Sequence, residues 1–385
     1  MPTFFQPRVH KTNLKTSLRR FWQRVSDGLE VNQLWSQFER DARSSYRLYS
    51  SGIDDRTGES RRQYFWHTAK KLFWAILDKL SPARRVLLLL GLVMLFFPGG
   101  GLTFSSRTGQ NYILEFDFRF FGGLLLFVLL MLEIADRVVM KRDLEIARDI
   151  QQWLLPGTPP QIPGFAIAYL TRAANTVAGD YYDVFPRPAP LEGERNVLLA
   201  IADVAGKSIP AAMLMATFQA SLRTLSDTRC SLPELVAGMN RYACTNSQGG
   251  LRFTTAFLGE LDTATRTLTY INSGHNAPIL RRSNGTVERL EAGGLPLGIM
   301  PNAVYEAGIV TLAAGDWLII FTDGMVEAES TSGEEYGEAR QAAVIEAGVA
   351  LSPAQLLQRM VDAVDAFVGN APQHDDLTCL LVKVS

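Results

Sequence analysis

The stretch Val197-Leu-Leu-Ala-Ile-Ala-Asp-Val-Ala-Gly-Lys-Ser-Ile-Pro-Ala-Ala-Met213 decides the fold of the second half of this chain. Its first six residues are all apolar, which predicts a strand that is buried on both faces. Asp203 ends this strand, Gly206 suits a turn, and a helix is predicted to follow Pro210. The strand would hold the Asp203 carboxylate rigidly at its end. An aspartate before a helix is also a common helix cap, so this motif alone leaves both interpretations open.

Three other segments combine a strand with a terminal aspartate. Asp316-Trp-Leu-Ile-Ile-Phe-Thr-Asp-Gly324 predicts a buried strand that ends in an aspartate, and His374-Asp-Asp-Leu-Thr-Cys-Leu-Leu-Val382 places two aspartates before a strand. Ala178-Gly-Asp-Tyr-Tyr-Asp-Val-Phe185 places Asp180 at the start of an aromatic, strand-prone run. If the last strand is antiparallel to those ending at Asp203 and in Asp316–Gly324, all three acidic ends meet at one edge.

Carboxylates that converge in this way repel one another strongly unless a cation lies between them. A set of ligands made only of oxygen atoms favours Mg²⁺ or Mn²⁺ over Zn²⁺ or Cu²⁺. We therefore expect a pair of divalent ions where the acidic strand ends meet.

The motifs Gly179-Asp180, Asp203-Val-Ala-Gly206, Thr322-Asp-Gly324 and Asp375-Asp376 occur in the order found in one enzyme family. This order resembles the metal-dependent protein phosphatases, the PPM family, and specifically the bacterial branch that is similar to stage II sporulation protein E. The resemblance covers about residues 145–385, well over half of the chain.

Three more segments resemble the same branch, and two positions depart from it. The similar segments are Glu145–Pro156, Asn272–Asn276 and Gly294–Gly298. Ala178 and Ser208 stand where the branch usually has glycine. Both residues are small, so we expect altered loops and an intact site.

The resemblance implies the fold, the activity and the residues that carry it. The implied fold is α+β, with two β-sheets sandwiched between helix pairs. The implied activity is that of a protein serine/threonine phosphatase, in which water activated by two Mn²⁺ or Mg²⁺ ions attacks phosphoserine or phosphothreonine. Relatives in this branch commonly act on anti-sigma-factor antagonists, so we expect a phosphorylated protein of that kind as substrate. The implied catalytic and metal-binding groups are Asp180, Asp203, the Val204 carbonyl, Asp323, Asp375 and Asp376.

Four other polar residues lie near these motifs, each with two interpretations. Lys207 and Arg172 could meet substrate phosphate, although the sequence favours a solvated surface charge for each. Asp183 could act directly or be a strand or turn residue. His275 fits a hydrogen-bonded turn better than a metal ligand or a catalytic acid.

Two functions from other classes compete with the phosphatase. The Ala178–Asp183 segment resembles the Gly-Gly-Asp turn of diguanylate cyclases, but a nucleotide cyclase would leave Asp203, Asp323 and Asp375 unexplained. A non-catalytic, phosphatase-like module that binds a partner would not need an acid at every motif, and an ion-binding measurement separates it from the enzyme. We expect no nucleic-acid partner.

The first part of the chain predicts membrane attachment. In residues 1–83, a basic region of unknown role, Lys and Arg outnumber Asp and Glu roughly two to one. Val86–Phe104 carries no charge and approaches the length of a bilayer core, and Phe120–Leu132 is a shorter apolar run. Basic residues flank the pair on both outer sides, so residues 84–134 predict a helical transmembrane hairpin with both termini in the cytoplasm. Two buried helices of a soluble domain are the alternative.

Two further sequence features bear on location and composition. The hairpin implies the inner (cytoplasmic) membrane, with the catalytic domain in the cytoplasm. Three cysteines without paired or metal-type spacing suit a reducing compartment. A 385-residue chain that is 47% hydrophobic has ample material for a sizeable core.

Residues 135–157 predict a linker helix that connects the hairpin to the last domain. Val139, Ile146 and Trp153 are seven residues apart, and Ile150 adds part of a second seam position. This heptad pattern predicts a coiled coil and a homodimer, although about three heptads are marginal for a free coiled coil. The alternative is a single amphipathic helix that packs on the catalytic domain.

The proline-rich segment Leu155–Gly164 ends the linker helix, so the phosphatase-like domain is predicted at 158–385. Within it, alternation and turn chemistry predict a hairpin formed by the runs that begin at Thr254 and Thr267. Further predicted strands are Phe165–Leu170 and Tyr181–Phe185, and further predicted helices are Leu232–Ala243, Gly337–Gly348 and Pro353–Val368.

Overall fold

The computed structural model describes residues 70, 73–74, 77–97, 99–105, 111–188, 195–246 and 252–385, with only the backbone of 100–105, 111–116 and 195. The chain separates into two compact units, Met1–Ala135 and Asp136–Ser385. Nearly all of the predicted basic region 1–83 lies outside the described residues. The four-part domain division of the sequence stays a prediction.

The first unit contains helix α1 (Pro82–Phe96), the antiparallel strands β1 (Gly100–Ser105) and β2 (Asn111–Phe116), and the start of helix α2 (Phe118–Leu154). The two helices approach closely: a Cβ atom placed on Gly122 would lie 2.8 Å from the Gly91 carbonyl oxygen. Arg84 Nη1 lies 3.2 Å from Glu133 Oε2. These contacts pair the helices in antiparallel fashion.

The first apolar segment is shorter than predicted. We expected one segment from Val86 to Phe104, but α1 ends at Phe96 and the chain is extended again from Gly100. Proline and glycine, which occupy positions 98–101 of the sequence, disfavour helix and explain the break. The predicted hairpin is therefore wrong in the extent of its first helix.

Helix α2, in contrast, is longer than predicted. The second apolar run and the linker form one continuous helix of 37 residues. Among the described residues, α2 alone is long and apolar enough to cross a membrane, with a mean hydropathy of 2.1 in its best 18-residue window. Only 11% of that window is buried.

The second unit alternates strands and helices. Its strands are β3 (Phe165–Arg172), β4 (Tyr181–Pro188), β5 (Arg195–Val204), β6 (Thr254–Asp262), β7 (Thr267–Ser273), β8 (Ile279–Arg281), β9 (Val287–Arg289), β10 (Gly293–Gly294), β11 (Gly308–Thr311), β12 (Trp317–Phe321) and β13 (Leu377–Val384). Its further helices are α3 (Ser208–Ser226), α4 (Leu232–Asn246), α5 (Glu338–Ala347) and α6 (Pro353–Val368), with a 3-10 turn at Asp323–Met325. The predicted β6–β7 hairpin is confirmed.

The strands form two sheets. One has the order β10-β7-β6-β5-β4, with β11 also paired to β7, and the other has the order β3-β13-β12-β8-β9. The apolar run of β5 is completely buried from Leu198 to Ala202, as its lack of alternation predicted. All five residues of β12 are buried for the same reason.

Three apolar layers hold the unit together. One lies between the sheets, and includes Leu199 and Ile201 of β5 and Leu318 of β12. The second joins β5 and its neighbours to α3 and α4, and the third joins β12 and β13 to α5 and α6. The predicted α+β fold, two sheets between helix pairs, is confirmed.

The pairing of the strands places the acidic residues. Tyr181 of β4 pairs with Ala202 of β5, so Asp180 and Asp203 lie at the same end of the first sheet. Phe321 of β12 pairs with Cys379 of β13, so Asp323 and Asp375 lie at one end of the second sheet. We predicted a single edge shared by three strands. This is wrong, because β5 belongs to one sheet and β12 and β13 to the other, and the acids meet across the sandwich.

Candidate active site

Asp203 lies at the centre of a group of five aspartates. Burial, followed by the charges of Asp323 and Asp375, raises the pKa of Asp203 to about 7. Asp376 raises this pKa further, whereas a hydrogen bond with Asp180 lowers it. The carboxylate at the end of β5 is thus surrounded by like charges.

Asp180 joins the two sheets. It is completely buried, and burial and then the charge of Asp203 raise its pKa well above the usual range. Thr322 Oγ1, from the end of β12, donates a hydrogen bond of 2.9 Å to Asp180 Oδ2. The same Thr322 oxygen accepts the backbone N–H of Thr378 at 3.0 Å. Thr322 therefore fixes Asp180 against the second sheet.

Asp323 and Asp375 form the other side of the group. Burial and the charge of Asp375 raise the pKa of Asp323, and its Oδ1 atom is buried without a hydrogen-bond partner. Asp375 Oδ1 accepts the backbone N–H of Asp376, and its Oδ2 atom lies 3.3 Å from Lys207 Nζ. Lys207 also donates to the His374 carbonyl at 2.7 Å, which anchors this cation at the edge of the acidic group.

Asp376 is held differently from its neighbours. Its Oδ1 atom accepts the backbone N–H of Ala174 at 2.7 Å, and its Oδ2 atom accepts that of Gly179 at 2.5 Å. Burial raises the pKa of Asp376, and these two hydrogen bonds lower it. Asp376 thus ties the loop before Asp180 to the start of β13.

Asp183 lies outside this group and has its own counter-charge. Arg223 donates to both of its oxygens, at 2.8 and 2.9 Å, and the Tyr181 hydroxyl donates to Oδ2. Burial raises the pKa of Asp183, whereas Tyr181 and Arg223 lower it. The sequence allowed Asp183 either a direct role in the site or a structural role in a strand or turn. The structure supports the structural role, in strand β4.

His275 occupies a hydrogen-bonded turn. Asn272 Oδ1 accepts its backbone N–H at 2.7 Å, and Asn272 Nδ2 donates to its carbonyl at 2.9 Å. The imidazole Nδ1 lies 3.0 Å from Thr255 Oγ1, on the strand position paired with Asp203. Burial lowers the pKa of His275 to about 4, so the ring is neutral at physiological pH.

A cleft of about 210 Å³ opens beside Asp375. Lys207 lies on its wall with its side chain more than half exposed. Arg172, also on the wall, is bound to Asp365 Oδ1 at 2.8 Å and to Gln373 Oε1 at 2.9 Å. The lining combines both signs of charge and includes Arg172, Lys207, His374, Glu327, Glu329, Glu335 and Asp375.

The donors fit hard divalent cations. The carboxylates with raised pKa values and the buried, unpartnered Asp323 oxygen carry more negative charge than Lys207 offsets, and Mg²⁺ or Mn²⁺ would supply the remaining positive charge. Within the described ranges, no group of three or more His, Cys, Asp or Glu side chains already has metal-ligand spacing. A bound ion would therefore draw these carboxylates closer together.

Sequence reasoning missed two residues that shape this site. Thr322 is part of the Thr322-Asp-Gly324 motif, but we assigned it no role from the sequence. Its position directly before a functional aspartate was a signal that could have identified it. Glu327 faces the group from the cleft, where burial and then the charges of Asp323, Glu335 and Asp375 raise its pKa. Glu327 lies only three residues after Gly324, but the sequence gave no reason to assign it a role.

Comparison with known proteins places this geometry in context. The chain is 29% identical to protein IcfG of Synechocystis sp. over 276 residues, which are 65% of this chain and 42% of that protein. It is 27% identical to phosphoserine phosphatase RsbU of Bacillus subtilis over 245 residues, 63% of this chain and 70% of RsbU. The chain thus spans less than half the length of IcfG.

The fold agrees with a solved structure, the SiaA-PP2C domain of Pseudomonas aeruginosa. That similarity has a TM-score of 0.57 at 19% identity, and covers 65% of this chain and 99% of the solved domain. The family described as Stage II sporulation protein E (SpoIIE) matches residues 193–385, half of the chain, and this range contains Asp203, Asp323 and Asp375. The order of acidic motifs, the two-sheet sandwich and this match agree, and the chain belongs to the SpoIIE family.

Proposed function

We propose that this chain is a protein serine/threonine phosphatase that depends on two Mn²⁺ or Mg²⁺ ions. The observation that carries the proposal is the group of five aspartates around Asp203, whose negative charge is only partly offset by Lys207, 3.3 Å from Asp375 Oδ2. Asp180, Asp203, Asp323 and Asp375, with the Val204 carbonyl, would hold the ions, while Asp376 would act mainly by holding the Gly179 loop. When bound, such ions lower the pKa of coordinated water and neutralise charge on a phosphoryl group.

The chain's own residues would position the phosphoryl group. Lys207 lies between the acidic group and the cleft, and its exposed ammonium can turn from Asp375 to a phosphate oxygen once a divalent ion neutralises that carboxylate. Arg172 is already paired with Asp365 and would contribute mainly to the shape of the cleft. Hydrolysis would form a bond between a water oxygen and phosphorus and break the bond between phosphorus and the seryl oxygen, which would leave with a proton supplied by that water.

The substrate is proposed to be a phosphorylated signalling protein. RsbU, which shares 27% identity, is named a phosphoserine phosphatase, and the phosphatase resemblance makes an anti-sigma-factor antagonist our first candidate. An open cleft lined by charges of both signs suits a polar segment of a folded protein.

A dephosphorylation assay tests this proposal. We expect the purified chain to release phosphate from candidate phosphoserine proteins in Mn²⁺ or Mg²⁺, and to lose this activity in EDTA. Asp362→Asn, which removes one exposed carboxylate from α6, is the charge-matched control for Asp203→Asn and should remain active. No release of phosphate from any phosphoprotein or aryl phosphate in either metal would leave the non-catalytic binding module as the better account.

We also propose that the chain is anchored in the inner membrane by α1, the β1–β2 hairpin and the start of α2. Support comes from the antiparallel helix contact, the basic flanks and the exposed apolar side chains of both helices. A reporter fused after Ser105 should then lie outside the cytoplasm, and reporters at both termini inside. A reporter after Ser105 that is active in the cytoplasm would contradict this topology.

Pairing of two copies through α2 is the last part of the proposal. Val139, Ile146, Ile150 and Trp153 are all exposed, Trp153 by 81%, so the catalytic unit does not cover the heptad positions. This exposure argues against the alternative of an amphipathic helix that buries them. Replacing Ile146 and Ile150 by Asp should abolish dimers in sedimentation, and dimers that persist would refute this seam.

A further inference from the structure

The side chain of Gln151 links helix α2 to the loop that carries Asp180. It is the buried residue of the last helical turns, where Ile150, Gln152 and Trp153 are exposed. Its Nε2 atom donates to the Ala178 carbonyl at 2.6 Å, and its Oε1 atom accepts the Ala178 N–H at 2.9 Å. One amide thus satisfies both polar groups of a single buried peptide position, 27 residues away in the chain.

The residues that follow Ala178 lead directly into the candidate site. The Gly179 N–H donates to Asp376 Oδ2, and a Cβ atom on Gly179 would lie only 3.3 Å from the Val204 carbonyl oxygen. The next residue is Asp180, which is completely buried. A shift of this short segment would therefore disturb Asp180, Asp376 and the Val204 carbonyl together, because the Gly179 backbone lies against the last two and leads directly into the first.

We propose that Gln151 is a positioning residue for the cation site, one that fixes the Ala178–Asp180 backbone through its paired hydrogen bonds. This inference rests on the proposed metal-dependent function. Loss of the amide would leave a buried N–H and a buried carbonyl unpaired, which favours displacement of the loop toward water. Asp180, Asp376 and the Val204 carbonyl would then be misplaced, although no ligand had been removed. Outer groups of this kind commonly change metal affinity by about 10- to 100-fold.

The test compares full-length chains purified in detergent micelles. Gln151→Met keeps the length of the side chain and removes both hydrogen bonds, and Gln151→Asn keeps an amide that is too short to reach Ala178. Gln152→Met, at the neighbouring exposed position, is the matched control. Mn²⁺ affinity is measured by titration calorimetry without substrate, and folding is monitored by circular dichroism.

We expect both Gln151 variants to bind Mn²⁺ about tenfold or more weakly than the wild type, and the control to bind it equally well. Unchanged Mn²⁺ affinity in a folded Gln151→Asn chain would overturn the inference, even if its melting temperature fell, because a merely structural residue changes stability alone. If Gln151→Met does not fold, the Asn variant decides. A wild-type chain that binds no Mn²⁺ would instead refute the proposed function itself.

Discussion

Asp183 and Asp203 lie on neighbouring strands of one sheet, yet their surroundings differ completely. Asp183 is buried, and Asp203 is half-buried. Asp183 on β4 receives two hydrogen bonds from Arg223 and one from Tyr181. Asp203 at the end of β5 faces Asp323, Asp375 and other acids. The protein neutralises the first carboxylate itself and leaves the second to be neutralised from outside.

The difference shows why burial alone does not identify a functional acid. A buried carboxylate needs a counter-charge, and its source decides the role of the residue. Where the chain supplies an arginine, the acid stabilises the fold. Where the chain supplies more acids, the fold is destabilised locally until a cation binds, which is the signature of a binding site.

The largest expected effect comes from removing charge at Asp203. Asp203→Asn should reduce metal-dependent turnover by more than about 100-fold, because it removes a central oxygen donor and not merely an outer contact. Folding should survive, since the substitution also removes like-charge repulsion. Steady-state phosphatase assays with Mn²⁺ titration measure this effect. Turnover within twofold of wild type would contradict the proposal that Asp203, unlike Asp183, binds the metal ions.

The next effect is a pH dependence that appears when metal is removed. The pKa of Asp203 is raised from 3.8 to about 7, so the metal-free folded state binds this proton more tightly than the unfolded state. Stability should therefore fall as the pH rises from about 4 to about 7, by at most about 4 kcal/mol. Chemical denaturation in EDTA measures the slope. Asp203→Asn should make the slope shallower, although Asp180, Asp323 and Asp376 also contribute to it, and an equally steep slope in that variant would exclude Asp203 as a source.

A smaller effect is expected at Asp183, where the substitution should change stability and leave metal binding intact. Arg223→Met retains apolar contact with the Phe185 ring, over which the guanidinium lies at 3.8 Å, but leaves Asp183 without its partner. The free energy of unfolding should fall by about 3 kcal/mol, and by more at pH 8 than at pH 5, because protonation relieves the unpaired charge. Mn²⁺ affinity, measured in the same variant, should not change. A loss of affinity with intact stability would reverse the two roles.

The smallest effect concerns the turn that follows Asp203. Ser208 has a backbone φ of 62°, in the left-handed region that costs residues with a Cβ about 1 kcal/mol. Ser208→Gly should raise the unfolding free energy by about that amount, and Ser208→Ala, which keeps the Cβ, should not. Denaturant midpoints of the two variants decide. Equal midpoints would show that this turn stores no strain.

Much of the fold follows from local sequence, because the uninterrupted apolar runs at Leu198–Ala202 and Trp317–Phe321 each suit only a buried strand. The resemblance of the motif order to the PPM family predicted the two-sheet sandwich, and the motifs predicted that the acids meet. What the sequence could not supply are contacts between distant positions, such as Gln151 with Ala178 or Thr322 with Asp180. Arg223 is also distant from Asp183 in the chain, by 40 residues, so its neutralising role became visible only in the fold.

The most direct test of the central claim is a crystal structure grown with Mn²⁺, with the ions located by anomalous scattering. We expect two Mn²⁺ ions within bonding distance of the acidic group, with Asp203 oxygens contacting both and Asp323 and Asp375 among the other ligands. Asp183 should still be bound to Arg223. Anomalous density that is absent from Asp203, in a folded chain that hydrolyses phosphoserine, would contradict the account.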